Sequence, residues 1–210
     1  MPKDHAIAKR LCKELFESGI GGLDIKTQVV MLDDKIKQII AAIPLLQGDK
    51  TPQVDKFIRE HISGNYTTII NGTGTYKQHS SIADCGTTGR KLAVDFYGGN
   101  CKVGGGSPWT KDGSKADLTL NLLARKIAKD TSIKTGEKIE ASIACCIGQK
   151  DIIVSVKDVN SNAIISETTV DVMPDELIDE FNLDKPIFSS MCRWGLFGEF
   201  QKDKKWEGIY

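Results

Sequence analysis

The sequence predicts an α+β protein, on three observations. Four stretches repeat apolar residues at helical spacing. Between them lie shorter runs rich in β-branched residues, some joined by turns tight enough for hairpins. Glycine, asparagine and proline punctuate the boundaries, and no low-complexity linker interrupts the chain.

The elements follow in order. Residues 4–18 read as an amphipathic helix, with Ile7, Leu11, Leu15 and Phe16 at helical spacing and Gly19 as the stop. Residues 21–31 read as a strand after a glycine turn. Asp33-Asp34-Lys35 is a hairpin turn and 36–43 the returning strand, ended by Pro44. Asp24 and Lys26, two apart on that strand, share a face, where they suit a cross-strand ion pair or a ligand equally. Thr51-Pro52 opens a second helix with Val54, Phe57, Ile58 and Ile62 on one side; Gly64-Asn65 ends it, and 67–70 is a short strand.

The stretch 82–117 organises the chain. It gathers Arg90, Lys91, Lys111 and Lys115, with Asp84, Asp112 and Asp117, around two glycine-rich turns and the apolar run 92–97, which reads as a strand. Bare backbone N–H groups and flanking cations are what a phosphate chain requires. Ser114-Lys-Ala-Asp117 fits a helix-capping signature, and Asp117 suits that role. It would place Lys115 in the first turn, where the helix dipole disfavours a cation unless an anion is bound. A solvated surface lysine is the plain alternative.

The helix from Ser114 to about Ser132 has a broad apolar face made by Leu118, Leu122, Ala124-Arg125, Ile127 and Ala128, with Lys126 and Lys129 outside. Strands follow at 138–147 and 151–159, joined by Gly148-Gln-Lys, and a shorter one at 163–166. Residues 174–181 form a short helix, and the aromatic tail reads as core or interface. Cys145 and Cys146, neighbours in a strand-like run, should face opposite sides.

Composition narrows the function classes. The 210 residues include 28 basic and 28 acidic side chains, so no basic surplus points to nucleic acid or an anionic membrane. No run is long enough to span a bilayer, and the first residues lack a signal-peptide core, so a cytoplasmic setting is expected. Six cysteines form no C-x-x-C pair and read as reduced thiols. No nucleophile motif occurs, and His79-Ser80-Ser81 is an adjacency in a polar loop rather than a triad.

The central stretch resembles the methionine adenosyltransferase (S-adenosylmethionine synthetase) family. That family carries G-D-x-G-L-T-G-R-K, V-D-T-Y-G-G and G-G-G-A-F-S-G-K-D-x-x-K-V-D segments. Residues 83–91, 94–99 and 104–117 match them in order and spacing. D-I-K-T-Q-V from Asp24 is similar to the family's D-A-K-S-Q-V, and N-G-T-G-T-Y ending at Tyr76 to N-P-T-G-R-F.

The resemblance implies repeated α/β units, mixed sheets with helices on one face. Parts of three such units would fall at about 1–78, 79–117 and 118–210. It implies transfer of the adenosyl group of ATP to methionine and hydrolysis of the released triphosphate, with Mg²⁺ and K⁺. Residue for residue, Lys26, Arg90, Lys91, Lys111 and Lys115 would contact the phosphates and Asp117 would hold Mg²⁺. Asp24 and Tyr76 would lie at the adenosine, Asp84 would bind the methionine amino group, and Asp95 would be structural. Thr75 replaces a family arginine, and Ser107-Pro-Trp-Thr110 replaces A-F-S-G.

The family's N-terminal third, with its G-H-P-D-K segment and potassium-site glutamate, has no match here. The expectation is therefore the large subunit of a split synthetase, co-folding with a separate N-terminal polypeptide into the family's dimer. Without that partner its sheets would keep exposed apolar faces and open edges. The alternative is a non-catalytic regulatory or structural subunit that pairs with a full-length synthetase.

Overall fold

A computed structural model describes residues 1–104 and 106–208; Gly105, in the glycine run, lies outside them. The chain divides into two compact units, Met1–Thr87 and Thr88–Tyr210.

The first unit opens with helix α1 (Lys3–Glu17), whose Ala8, Leu11 and Leu15 are buried. Strand β1 (Lys26–Leu32) turns back into β2 (Lys35–Ala42). The turn residues Asp33 and Asp34 sit at φ 50° and 57°, as a two-residue hairpin with matching twist requires. Helix α2 (Thr51–His61) starts on Pro52 and leads to β3 (Thr67–Ile70), which pairs parallel to β2. The order is β1-β2-β3.

Both helices cover one face of this sheet. Val54 and Ile58 of α2 meet Leu11 and Leu15 of α1 over Val29, Ile39 and Ala41. On the other face Val30 and Ile69 remain exposed. Buried Asn71, at φ 49°, locks the exit of β3 to that of β2. Its Oδ1 accepts from Ile43 N–H at 2.8 Å and its Nδ2 donates to the Ile43 carbonyl at 2.9 Å.

Asp24 is not a strand residue. It precedes β1 at φ 63°, so it does not share a pleated face with Lys26, the first residue of the strand. The glycines at 21 and 22 explain this, because they keep the chain in a turn until residue 25.

The second unit departs from expectation at its start. Residues Leu92–Asp95 form one helical turn, α3, rather than a strand. Local hydrogen bonds from Asp95 N–H to Lys91 O (3.0 Å) and Phe96 N–H to Leu92 O (2.9 Å) satisfy the backbone where no neighbouring strand is available. Phe96 anchors the turn: it is fully buried, edge-on to Phe197 with centroids 5.4 Å apart.

Helix α4 (Ala116–Thr135) is the spine of the unit. One side packs Leu120, Leu123 and Ile127 on a three-stranded antiparallel sheet of β4 (Ile139–Cys145), β5 (Asp151–Asp158) and β6 (Ile164–Asp171). The other side buries Leu118, Leu122 and Arg125. The third strand is longer than the four residues expected, because Thr168, Thr169 and Val170 continue the pairing with β5. As an edge strand it is poorly covered: Ile164 is 66% and Val170 43% exposed.

Cys145 ends β4 and Cys146 lies in the following turn, so strand alternation does not govern the pair; both are exposed. Helices α5 (Pro174–Phe181) and α6 (Phe188–Cys192) follow. Of the tail aromatics, Phe197 and Trp206 are fully buried and therefore core.

Arg125 was expected on an apolar face and is buried for a different reason. Its Nε and a terminal nitrogen donate to the two oxygens of Glu207 at 2.9 and 2.8 Å. The guanidinium also lies 5.7 Å from the centre of the Phe197 ring. Glu207 Oε1 accepts a further bond from Gly198 N–H at 2.9 Å. Removing one partner strands a buried charge. Arg125→Met is therefore expected to destabilise the unit by about 3–5 kcal/mol in chemical denaturation. Arg125→Met combined with Glu207→Leu, which leaves no stranded charge, should recover most of that loss.

Candidate functional site

The expected site residues fall into two groups, one in each unit. In the first unit Asp24, Tyr76 and Asp84 are gathered around the turn 80–82. Asp24 Oδ2 accepts a short hydrogen bond from Ser80 N–H. Asp84 N–H donates to Ser80 O at 3.1 Å, and its side chain is exposed. The Tyr76 ring is half-buried. Its enclosed hydroxyl has no hydrogen-bond partner among the described residues. Burial, and then the negative charge of Asp24, raise its pKa. Tyr76 O also accepts from Leu45 N–H at 2.8 Å, which fixes the loop that carries it. Lys26 projects exposed from the start of β1.

In the second unit Lys111 and Asp117 form an ion pair at 3.0 Å. Asp117 Oδ1 accepts from Gly106 N–H at 3.2 Å. Asn121 Nδ2 donates to Gly104 O at 3.3 Å and to Asp117 O at 2.8 Å. The glycine run is thus strapped to the first turn of α4. Arg90, Lys91 and Lys115 are exposed.

The expected helix cap is not formed. Lys115, not Ser114, occupies the N-cap position, and no side chain caps the helix. Ser114 is instead drawn back to Asp112, whose Oδ1 accepts from Ser114 N–H at 2.8 Å and from its hydroxyl. The carboxylate two residues before Ser114 competes successfully for its donors, a common local alternative to helix capping. Asp117 is thereby left to Lys111 and Gly106.

The substituted loop has its own anchorage. Residues Pro108–Thr110 make a tight helical turn with Pro108 buried. Trp109 Nε1 donates to Asp95 Oδ2 at 2.8 Å, and Leu196 N–H donates to Asp95 O at 2.9 Å, which gives Asp95 the structural role expected of it. A Cβ on Gly89 (φ 84°) would meet Ser107 Cβ at 2.6 Å, so the glycine beside Arg90 lets the two segments touch.

Asp117 is a suitable oxygen donor for Mg²⁺, which commonly takes one or two carboxylates together with phosphate oxygens and water. Among the described residues no group of three or more His, Cys, Asp or Glu could hold a metal ion. No residue here is assigned to K⁺. Among the described residues no helix is long and apolar enough to cross a membrane.

The Arg125–Glu207 pair and the engagement of His79, whose Nδ1 accepts from Leu23 N–H at 3.2 Å, are among the interactions that escaped the sequence. The first joins positions 82 residues apart and leaves no local signal. The second was visible only as an adjacency with Ser80.

Lys111 and Asp117, paired beside a glycine run strapped to a helix start, mark the candidate site of an α+β protein. The comparisons specify the family. Residues 79–208 match the S-adenosylmethionine synthetase C-terminal domain. The S-adenosylmethionine synthases of Finegoldia magna and Bifidobacterium adolescentis are 32% and 31% identical over 97% of this chain, covering 58% of each relative. The structure of an unusual S-adenosylmethionine synthetase from Campylobacter jejuni superposes with a TM-score of 0.87 at 27% identity. It aligns over 99% of this chain and 64% of that one. The chain belongs to the S-adenosylmethionine synthetase family, and it spans less than two thirds of the length of these relatives.

The Lys111 ammonium, and next the Gly106 amide, hold the Asp117 carboxyl below its ordinary value of 3.8. A lowered pKa means the tether is intact above that value and is lost as pH falls through the lower one. Carboxyl NMR titration should give Asp117 a midpoint below 3.8, and Lys111→Ala should move it upward.

Proposed function

We propose that this chain supplies the phosphate side of an S-adenosylmethionine-forming site. The sulfur of methionine attacks C5′ of ATP. The new S–C bond forms as the C5′–O bond breaks, and its electron pair leaves with the triphosphate. Water then splits triphosphate into phosphate and diphosphate. No protein nucleophile is required; the work is positioning and neutralisation of the charge that grows on the leaving group.

Lys26, Arg90, Lys91, Lys111 and Lys115 meet the phosphates. Asp117 would be a ligand of Mg²⁺, which would screen phosphate charge when bound. Asp24 and Tyr76 hold the adenosine, and Asp84 the methionine ammonium. Segments 1–78, 79–117 and 118–210 represent parts of three family units. The histidine side of the site and the K⁺ ligands come from a separate N-terminal polypeptide in a hetero-oligomer, in a reducing, cytoplasmic setting.

The observation that supports this reading is the Lys111–Asp117 pair at the glycine run, a cation suited to phosphate beside a carboxylate suited to a metal. A bound triphosphate with its cation would separate the two, each keeping a partner of opposite charge.

A second reading, a non-catalytic subunit of a full-length synthetase, draws on Thr75 and on the Ser107–Thr110 turn, where a buried proline stiffens a loop that lies near phosphate. The test is co-expression with the missing N-terminal third, a native mass measurement, and assay of S-adenosylmethionine from ATP and methionine. Lys111→Ala or Asp117→Ala should each lower kcat by about 10²–10³-fold if the site is catalytic. Unchanged turnover in both variants supports the second reading instead.

A further inference from the structure

We propose that His79 is a positioning residue for the nucleoside end of the site, acting through the turn that carries Asp24. The inference rests on the functional reading above and adds a residue that it does not use.

The geometry lies wholly in the first unit. Leu23 N–H donates to Nδ1 of His79 at 3.2 Å. That bond requires an unprotonated Nδ1, so the neutral ring carries its proton on Nε2. The imidazole lies against Gly22: a Cβ there would meet Cδ2 and Nε2 at 2.8 Å and Cε1 at 3.0 Å. Only a glycine admits the ring this closely. One residue further along each segment, Ser80 N–H donates to Asp24 Oδ2. Two consecutive residues, 79 and 80, therefore grip two consecutive residues, 23 and 24.

This grip matters because Asp24 is held in an uncommon conformation. A non-glycine residue at φ 63° carries a local cost and persists where its surroundings over-determine it. The turn is pinned from behind by Gly22 N–H donating to Pro44 O at 2.9 Å. From the front, His79 and Ser80 are the groups that orient it. Tyr76, close enough to Asp24 to feel its charge, sits on the same loop three residues before His79. The loop thus sets the carboxylate and the aromatic ring of the nucleoside end together, and Asp24 lies two residues before Lys26 begins β1.

The experiment has two arms. In the full chain, backbone amide exchange at Leu23 should accelerate in His79→Ala and return to the wild-type rate in His79→Asn, whose Oδ1 can stand where Nδ1 accepts. In the active assembly, His79→Ala should raise KM for ATP roughly 5-fold, within the range that one net hydrogen bond supports. Both kcat and KM for methionine should stay within about 2-fold of wild type, and His79→Asn should restore KM for ATP. Gly22→Ala, which drives the ring off the turn, should copy His79→Ala.

Wild-type kinetics in His79→Ala, or a fall in kcat with KM unchanged, would overturn the inference. Failure of His79→Asn to rescue would overturn it as well. An assembly with no turnover even in wild-type form would sink the functional reading together with this inference. Turnover indifferent to His79 would sink this inference alone.

Discussion

The second unit depends on the ion pair between Arg125 and Glu207. Taking two charges out of water costs several kcal/mol each, and only close, multiply bonded geometry offsets that. Here it is met by two parallel hydrogen bonds, by aromatic rings beneath the guanidinium and by the Gly198 amide on the carboxylate. The pair sits two and a half turns into α4 and fastens the C-terminal tail to it. The same helix begins at the residues that strap the glycine run. Site geometry and tail docking therefore share one helix.

The first unit solves a similar problem without buried charge. Its helices cover one face of the sheet with aliphatic side chains, and the loops that matter leave from the ends of strands. Asn71 is the fastener there. One side chain satisfies both backbone groups of Ile43, which keeps the exits of β2 and β3 together. From the exit of β3 runs the segment that carries Tyr76, and the end of β2 pairs with Lys26, two residues after Asp24.

Much of this could be read from the sequence, for physical reasons. Helices α2 and α5 and strand β3 appeared where periodicity, proline and glycine placed them, because their boundaries are set by local backbone chemistry. The run 92–97 misled because Leu-Ala-Val-Asp-Phe-Tyr has strand-like content, while the absence of a pairing neighbour and the burial of Phe96 decide its shape. Ser114 misled because a capping signature counts only the residues it names; Asp112, outside it, took the donors. The family motifs located the cations, but not that Lys111 and Asp117 pair with each other. Long-range contacts such as Arg125 with Glu207 leave no periodicity to read.

Strand β6 has a consequence for anyone handling the protein. Its outer edge offers unpaired backbone groups, and the Ile164-Ile165 end is apolar, whereas Glu167 and the Lys150–Asp171 ion pair place charge along the rest. Charged side chains on such an edge oppose pairing with a second copy, and the apolar end lacks that guard. Concentrated solutions are thus the conditions in which neighbouring molecules would begin to stick, starting from the isoleucine end.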